Sequence, residues 1–186
     1  MKALILSDKE FRTEVFAQLH SCVLDYLSEQ GIPTEEIAIG REDLNYCIGC
    51  FGCWIKTPGE CVIQDLMAQI NEKSINADVV FYLCPVVFGQ FSANIKNALD
   101  RWIPNVLPFF KRRPDGSTIH PTRYDNNPSP IMIAYGDDLE EEDARLFADI
   151  SKKHRNVVDI MIYRGSAEEL RKELERIPMK KVGAIV

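Results

Sequence analysis

The run Asp78-Val79-Val80-Phe81-Tyr82-Leu83-Cys84 constrains this chain more than any other stretch. It is too short for a buried helix, is rich in β-branched and aromatic side chains, and lacks polar alternation. Such a run reads as a strand covered on both faces, and a strand of that kind belongs inside a parallel sheet flanked by helices. Further strands are expected at Ala3–Leu6, Glu36–Ile39, Ile131–Tyr135 and Val157–Tyr163. Helical spacing fills the intervals between them. Phe11 to about Gln30 is closed by Gly31, and Asp65–Ile75 starts on Asp65 as N-cap. Ser92–Ile103 stops at Pro104, Asp138–Lys153 follows the fourth strand, and Ser166–Ile177 opens on a capping box of Ser166 and Glu169.

Strands separated by helices require right-handed crossovers. The expected fold is therefore α/β: a three-layer sandwich around a five-stranded parallel sheet of order 2-1-3-4-5. At 186 residues the chain fits one such domain, 1–186. In this order ligands bind beyond the carboxyl ends of the strands, where the first and third strands part. Four loops reach that point: after Leu6, after the second strand, after Cys84 and after Tyr135. The segment from Pro108 to Pro130, rich in proline and charge, reads as an excursion from the sheet.

Charge and hydropathy exclude several roles. A net charge of −6 argues against a nucleic-acid partner, which needs a basic face. Lys111-Arg112-Arg113, with Arg123 beyond it, reads as a solvated loop. The acidic run Asp137, Asp138, Glu140, Glu141, Glu142 and Asp143 suits the first turn of a helix. No apolar run approaches the roughly 20 residues that span a bilayer. Met1 to Asp8 turns polar too soon for a signal peptide, so a cytoplasmic protein without a membrane partner is expected. His20, His120 and His154 read as surface residues, and no Ser-His-Asp set can be assembled.

Six cysteines in such a chain are not expected to pair as disulfides. Cys22 falls on the apolar face of the first helix, and Cys84 ends the third strand. Cys47, Cys50, Cys53 and Cys61 follow the spacing Cys-x2-Cys-x2-Cys-x7-Cys, with Gly49 and Gly52 freeing the backbone between them. Three thiolates at x2 intervals can wrap one face of a cubane cluster, and a fourth completes it. Free thiols, a zinc site and a dithiol redox pair are the other readings.

Two further loops carry candidate ligand contacts. In Pro85-Val86-Val87-Phe88-Gly89, Pro85 is expected to end the strand pairing and Gly89 to admit close backbone approach. Ser92 is positioned to cap the next helix. An apolar loop with free amides suits a flat ring such as isoalloxazine. Tyr135 and Gly136, where the fourth strand ends, are further candidate cofactor contacts. In the first loop, Ser7-Asp8-Lys9-Glu10-Phe11-Arg12-Thr13, the groups Ser7, Lys9, Arg12 and Thr13 can meet a phosphate at a helix N-terminus. Asp8 and Glu10 place negative charge beside them, and the loop has no glycine.

Pro85-Val86-Val87-Phe88-Gly89, followed by Ser92, Lys96 and Asp100-Arg101, resembles the ring-side segment of the flavodoxin-like NADPH-dependent FMN reductase and iron–sulfur flavoprotein families. The cysteine segment, with Pro58-Gly59-Glu60-Cys61-Val62-Ile63-Gln64-Asp65, resembles theirs too. The likeness runs from about Asn45 to Phe110 and fades through His120, Arg123 and Tyr124. It implies a flavodoxin-like fold, FMN as cofactor and NAD(P)H as transient donor. Electrons would pass to a flavin, quinone or other small acceptor. The alternative it implies is an electron carrier with a [4Fe–4S] cluster on Cys47, Cys50, Cys53 and Cys61, exchanging electrons with ferredoxin. A third reading is a flavodoxin-fold binding module with a degenerate phosphate loop. Such proteins commonly form a homodimer or homotetramer. The first loop departs from the family pattern, since flavodoxin-like phosphate loops are rich in Ser, Thr and Gly. In flavoenzymes the hydride chemistry belongs to the cofactor, so no catalytic side chain is assigned.

Overall fold

The computed structural model describes residues 1–154 and 159–177. In its first half the elements are β1 (Ala3–Asp8), α1 (Glu14–Glu29), β2 (Thr34–Ile39), the short α2 (Gly52–Ile55), α3 (Leu66–Ile75) and β3 (Val79–Val87). There follow β4 (Gln90–Phe91), α4 (Ala93–Asp100), β5 (Lys111–Arg112), β6 (Thr118–Ile119), β7 (Ser129–Tyr135), α5 (Glu141–Ser151), β8 (Asp159–Ile162) and α6 (Ala167–Arg176). The long strands pair in parallel in the order β2-β1-β3-β7-β8, which is the expected 2-1-3-4-5 once the short strands are set aside. Val157 and Val158, assigned to the last strand from sequence, lie outside the described residues.

The period-2 alternation of the strands divides the core into two faces. Ile5, Phe81, Leu83, Ile131 and Ile133 point to one face, where Phe16, Leu19, Val23, Leu27, Leu170 and Leu174 of α1 and α6 cover them. Leu4, Leu6, Val80, Tyr82 and Met132 point to the other, against Met67, Ile70, Ile95, Ala98 and Phe147 of α3, α4 and α5. Each such side chain contributes about 1.5–3 kcal/mol by leaving water. Cys22 and Cys84 are buried in these faces as expected. Helix ends follow their caps: Thr13 accepts from Phe16 N, Asp65 from Met67 N, and Ser166 from Glu169 N. The acidic run opens α5 through Glu141, Glu142 and Asp143.

Three expectations need correction. Pro85 does not end the strand: β3 runs on to Val87, and Pro85 stays in register with Tyr135. Its missing N–H matters little there, and its carbonyl accepts from Ser92 N (3.2 Å). The helix after Ser92 ends at Asp100, and Pro104 sits inside a separate 3-10 turn, Ile103–Asn105. All three histidines are half-buried against aromatic rings rather than free at the surface, His20 stacking on Phe16 with centroids 5.3 Å apart. His120 lies 5.0 Å from the Trp54 ring and 4.5 Å from that of Phe110, while His154 meets Phe91 edge-on. Burial, reinforced by Lys96, lowers the His154 pKa.

The excursion turns back on itself through the β5–β6 hairpin and the Val106–Thr122 bridge. Lys111 and Arg112 are exposed there, as expected of a solvated loop. No helix among the described residues is long and apolar enough to cross a membrane.

Candidate functional site

The sheet opens where the fold predicts. β1 pairs with β3 only from Ala3–Val79 to Leu6–Tyr82, yet stays with β2 through Asp8–Ile39. Beyond Leu6 a crevice therefore separates β1 from β3. It is bridged by side chains. Asp8, fully buried, accepts from Ser92 Oγ (2.6 Å), Asn94 Nδ2 (2.9 Å) and its own loop's Glu10 N (2.9 Å). Ser92 occupies the N-cap of α4, but its hydroxyl turns to Asp8 and makes no bond to the helix. The spacing Ser92-x-Asn94 at a helix start was the available signal for this bridge.

The β1–α1 loop is largely committed to its own fold. Lys9 Nζ pairs with Asp43 (2.6 Å), and Lys9 N donates to Ile39 O (2.9 Å). Arg12 donates to Ser7 Oγ (3.1 Å) and lies over the Phe16 ring, 4.3 Å from its centroid. Thr13 Oγ1 is used as the cap of α1. Tyr135 does not face the crevice mouth: it is buried, and its hydroxyl donates to Phe11 O (3.0 Å) from beneath the loop. Burial and then the charge of Asp8 push its phenol well above its ordinary pKa.

On the other side of the crevice β3 doubles back into β4, pairing Val86 with Phe91 and Val87 with Gln90. The two turn residues, Phe88 and Gly89, both have left-handed backbone (φ 50° and 69°), the pattern of a type I′ turn. Phe88 is 89% exposed, while Val86 and Val87 are half-buried beneath it. The close approach expected at Gly89 is made by the chain itself: a Cβ there would stand 2.6 Å from Leu146 Cδ2 of α5. Gly136, after β7, is half-buried beside Leu139.

The cysteine loop follows β2 and leads through α2 to α3. Cys47 and Cys50 are exposed, Cys61 is half-buried and Cys53 is buried. Burial raises the Cys53 thiol pKa, and the neighbouring Cys61, Cys50 and Cys47 raise it further. Among the described residues no three Cys, His, Asp or Glu side chains converge in an arrangement that holds a metal ion. Gly52 is required sterically, since a Cβ there would meet Val62 Cγ1 at 2.6 Å.

Behind the loop lies an ion pair that sequence reasoning did not assign. Arg101, 2% exposed, pairs with Asp65 and donates to Asn45 O (2.9 Å), Ile63 O (3.4 Å) and Cys61 Sγ (3.3 Å). Burial by itself would raise the Asp65 pKa, but Arg101 and the Asn45 and Met67 amides outweigh it and the pKa is lowered. In front, Trp54 Nε1 donates to Ile103 O (3.1 Å) and Val106 O (2.9 Å), fastening α2 to the 3-10 turn.

The fold has close counterparts among solved structures. An NAD(P)H:quinone oxidoreductase from Methanothermobacter marburgensis superposes with a TM-score of 0.65 over 95% of this chain and 94% of that one, at 14% identity. An FMN-dependent NADH-azoreductase from Bacillus anthracis gives 0.59 over 95% and 99%, at 12% identity. Sequence likeness is stronger to curated relatives. An iron–sulfur flavoprotein of Methanocaldococcus jannaschii is 38% identical over 96 residues, 52% of this chain and 49% of that protein. One from Archaeoglobus fulgidus is 30% identical over 104 residues, 55% and 46%. The chain thus matches about half the length of these relatives. Residues 1–114, which hold β1, the cysteine loop, the Phe88–Gly89 turn and Arg101, match the family profile, and the chain belongs to the NADPH-dependent FMN reductase family.

Proposed function

We propose that this chain is an FMN-dependent oxidoreductase that takes a hydride from NAD(P)H and passes electrons to a flavin, quinone or other small acceptor. The carrying observation is the Phe88–Gly89 turn, an exposed aromatic on left-handed backbone at the sheet's switch point. The ring end of the site fits the flavin. Val86, Val87 and Phe88 give an apolar wall under a flat ring, and Pro85, Gly89 and Ser92 hold that wall in place. The phosphate end fits less well, because Ser7, Lys9, Arg12 and Thr13 already have partners within the chain. Bound flavin supplies the hydride acceptor, its N5; the chain's residues orient the ring and keep water from one face. Gly136 and the buried Tyr135 brace the floor.

A second reading is supported by the spacing of Cys47, Cys50, Cys53 and Cys61 and by the likeness to curated iron–sulfur flavoproteins. In it the four thiols hold a [4Fe–4S] cluster and the chain trades electrons with ferredoxin. The exposed side chains Tyr46, Ile48, Phe88, Phe109 and Phe110 favour a homodimer or homotetramer that covers them. We read residues 1–186 as one domain of a cytoplasmic protein.

Anaerobic purification followed by counting flavin, iron and sulfide per chain tests both readings, together with NADPH oxidation in the presence of added flavin or quinone. Flavin with NADPH turnover and no iron supports the first. About four irons per chain, lost in Cys50→Ala while flavin is kept, supports the second. A colourless chain that takes up no flavin overturns both.

A further inference from the structure

We propose that a cavity between α4 and the end of α5, at the amino end of the sheet, is a second ligand site that takes a small flat aromatic acid. It lies away from the switch-point crevice, and the proposal does not rest on the flavin reading.

The cavity encloses about 300 Å³. That is the lower end of the range for small-molecule sites and leaves room for one or two rings. Its floor is the sheet, where Val80 is in register with Pro130 and Tyr82 with Met132. Leu99 of α4 and Trp102 just beyond it form one wall, and His154, past the end of α5, forms another. Tyr82 stands about 16 Å along β3 from Val87, so a ligand of this size does not reach the Phe88–Gly89 turn.

The polar groups of the cavity define what it takes. Tyr82 is 5% exposed, and among the described residues its hydroxyl makes no hydrogen bond. Burial raises its pKa, so the group remains a donor. A buried donor without a partner is costly, and an acceptor on a ligand removes that cost. The Trp102 indole N–H is likewise unpaired among the described residues. At the rim, Lys153 is exposed and makes no ion pair among them, and no carboxylate belongs to the described lining. Asp100, whose charge reaches His154, is paired with Lys96. Burial and then Lys96 lower the His154 pKa, so at neutral pH its ring is uncharged and offers one donor and one acceptor. Apolar walls, two unpaired donors and a cation without a counter-ion together select a flat ring that carries a carboxylate.

The test is calorimetric titration of the intact chain with naphthoate, with its amide and with naphthylmethylammonium. Naphthoate is expected to bind at a single site with a dissociation constant below about 0.3 mM, and the ammonium at least about tenfold more weakly. Lys153→Ala, a change at the surface, is expected to weaken naphthoate about three- to tenfold and to leave the amide unchanged. Tyr82→Phe keeps the ring and removes the hydroxyl, and is expected to weaken both by about threefold or more. The absence of saturable binding, equal binding of acid and ammonium, or unchanged naphthoate affinity in either folded variant overturns the proposal. Should Tyr82→Phe not fold, Lys153→Ala decides through the contrast between acid and amide. Displacement of naphthoate by FMN places the probe in the switch-point crevice, which overturns this proposal and leaves the flavin reading standing.

Discussion

Two phenylalanines at the carboxyl end of the sheet hold left-handed backbone, and the chain treats them differently. Phe51 (φ 53°) opens α2 and stacks on Trp54, with ring centroids 5.2 Å apart and planes 25° from parallel. Trp54 is itself anchored on two carbonyls of the 3-10 turn. Phe88 (φ 50°) tips the β3–β4 turn with 89% of its surface in solvent. Left-handed backbone costs a residue with a Cβ about 1–2 kcal/mol. Stacking offsets that cost at Phe51. At Phe88 the ring recovers little from the chain. Phe51 thus has a ring partner within its own loop, although that loop also exposes Tyr46 and Ile48, whereas the turn presents Phe88 outward without one, consistent with a flat ring that settles on it.

The largest effect is expected where the cysteine loop is held from behind. Arg101→Ala leaves Asp65 buried without its cation, removes the donor to Ile63 O and leaves Asn45 O with Asn97 Nδ2 alone. Breaking such a pair costs about 3–5 kcal/mol, to be read from the urea midpoint. Cys53 and Cys61 should then react faster with a thiol reagent. A loss below about 1 kcal/mol, in the range of exposed pairs, would mean that Trp54 rather than Arg101 holds the loop. The turn has its own weak point. Gly89→Ala forces a Cβ onto left-handed backbone and into Leu146, with an expected cost of about 1–3 kcal/mol. Adding Leu146→Ala should restore the steric share and leave the backbone share. Full restoration would show that the left-handed φ is unimportant.

Acid should separate the two regions as well. The Asp65 pKa is lowered in the folded chain, so its contribution is complete above the unfolded carboxyl pKa of about 3.9. It is lost as pH falls through the lower, folded value. Urea midpoints measured from neutral pH into the acid range should show an added decline in the native chain below about pH 4 that is absent in Asp65→Asn. Parallel curves would remove Asp65 from the account of the loop.

The sheet was readable because its signal is local. The apolar run at Val79–Leu83 and the alternation of strands with capped helices need only near neighbours. Pro85 was misread for the same reason, since its place in the ladder depends on Tyr135, a partner fifty positions away. The phosphate end shows the limit most clearly. Ser7, Lys9, Arg12 and Thr13 are the right residue types for an anion, but Asp43, Phe16, Ser92 and Asn94 decide what the loop is used for. Only Phe16 lies near them in sequence. Arg101 escaped a structural role because its four side-chain partners come from two stretches of the chain some 36 to 56 residues away, and no spacing announces them.

The smallest expected change sharpens the comparison most. Asn tolerates left-handed backbone better than Phe. Phe88→Asn should therefore raise stability, by up to about 1 kcal/mol, because little packing is lost with an exposed ring. Phe51→Asn relieves the same strain but removes the stack on Trp54, so its net effect should be near zero or destabilising. Flavin titration of both variants then divides strain that serves the ligand from strain that serves the fold. If the ring of Phe88 meets the flavin, Phe88→Asn weakens binding by about three- to tenfold while becoming more stable, and Phe51→Asn leaves binding unchanged. Unchanged flavin affinity in the stabilised Phe88→Asn chain would take the ring off the turn and move the search for its wall to the cysteine-loop side of the crevice.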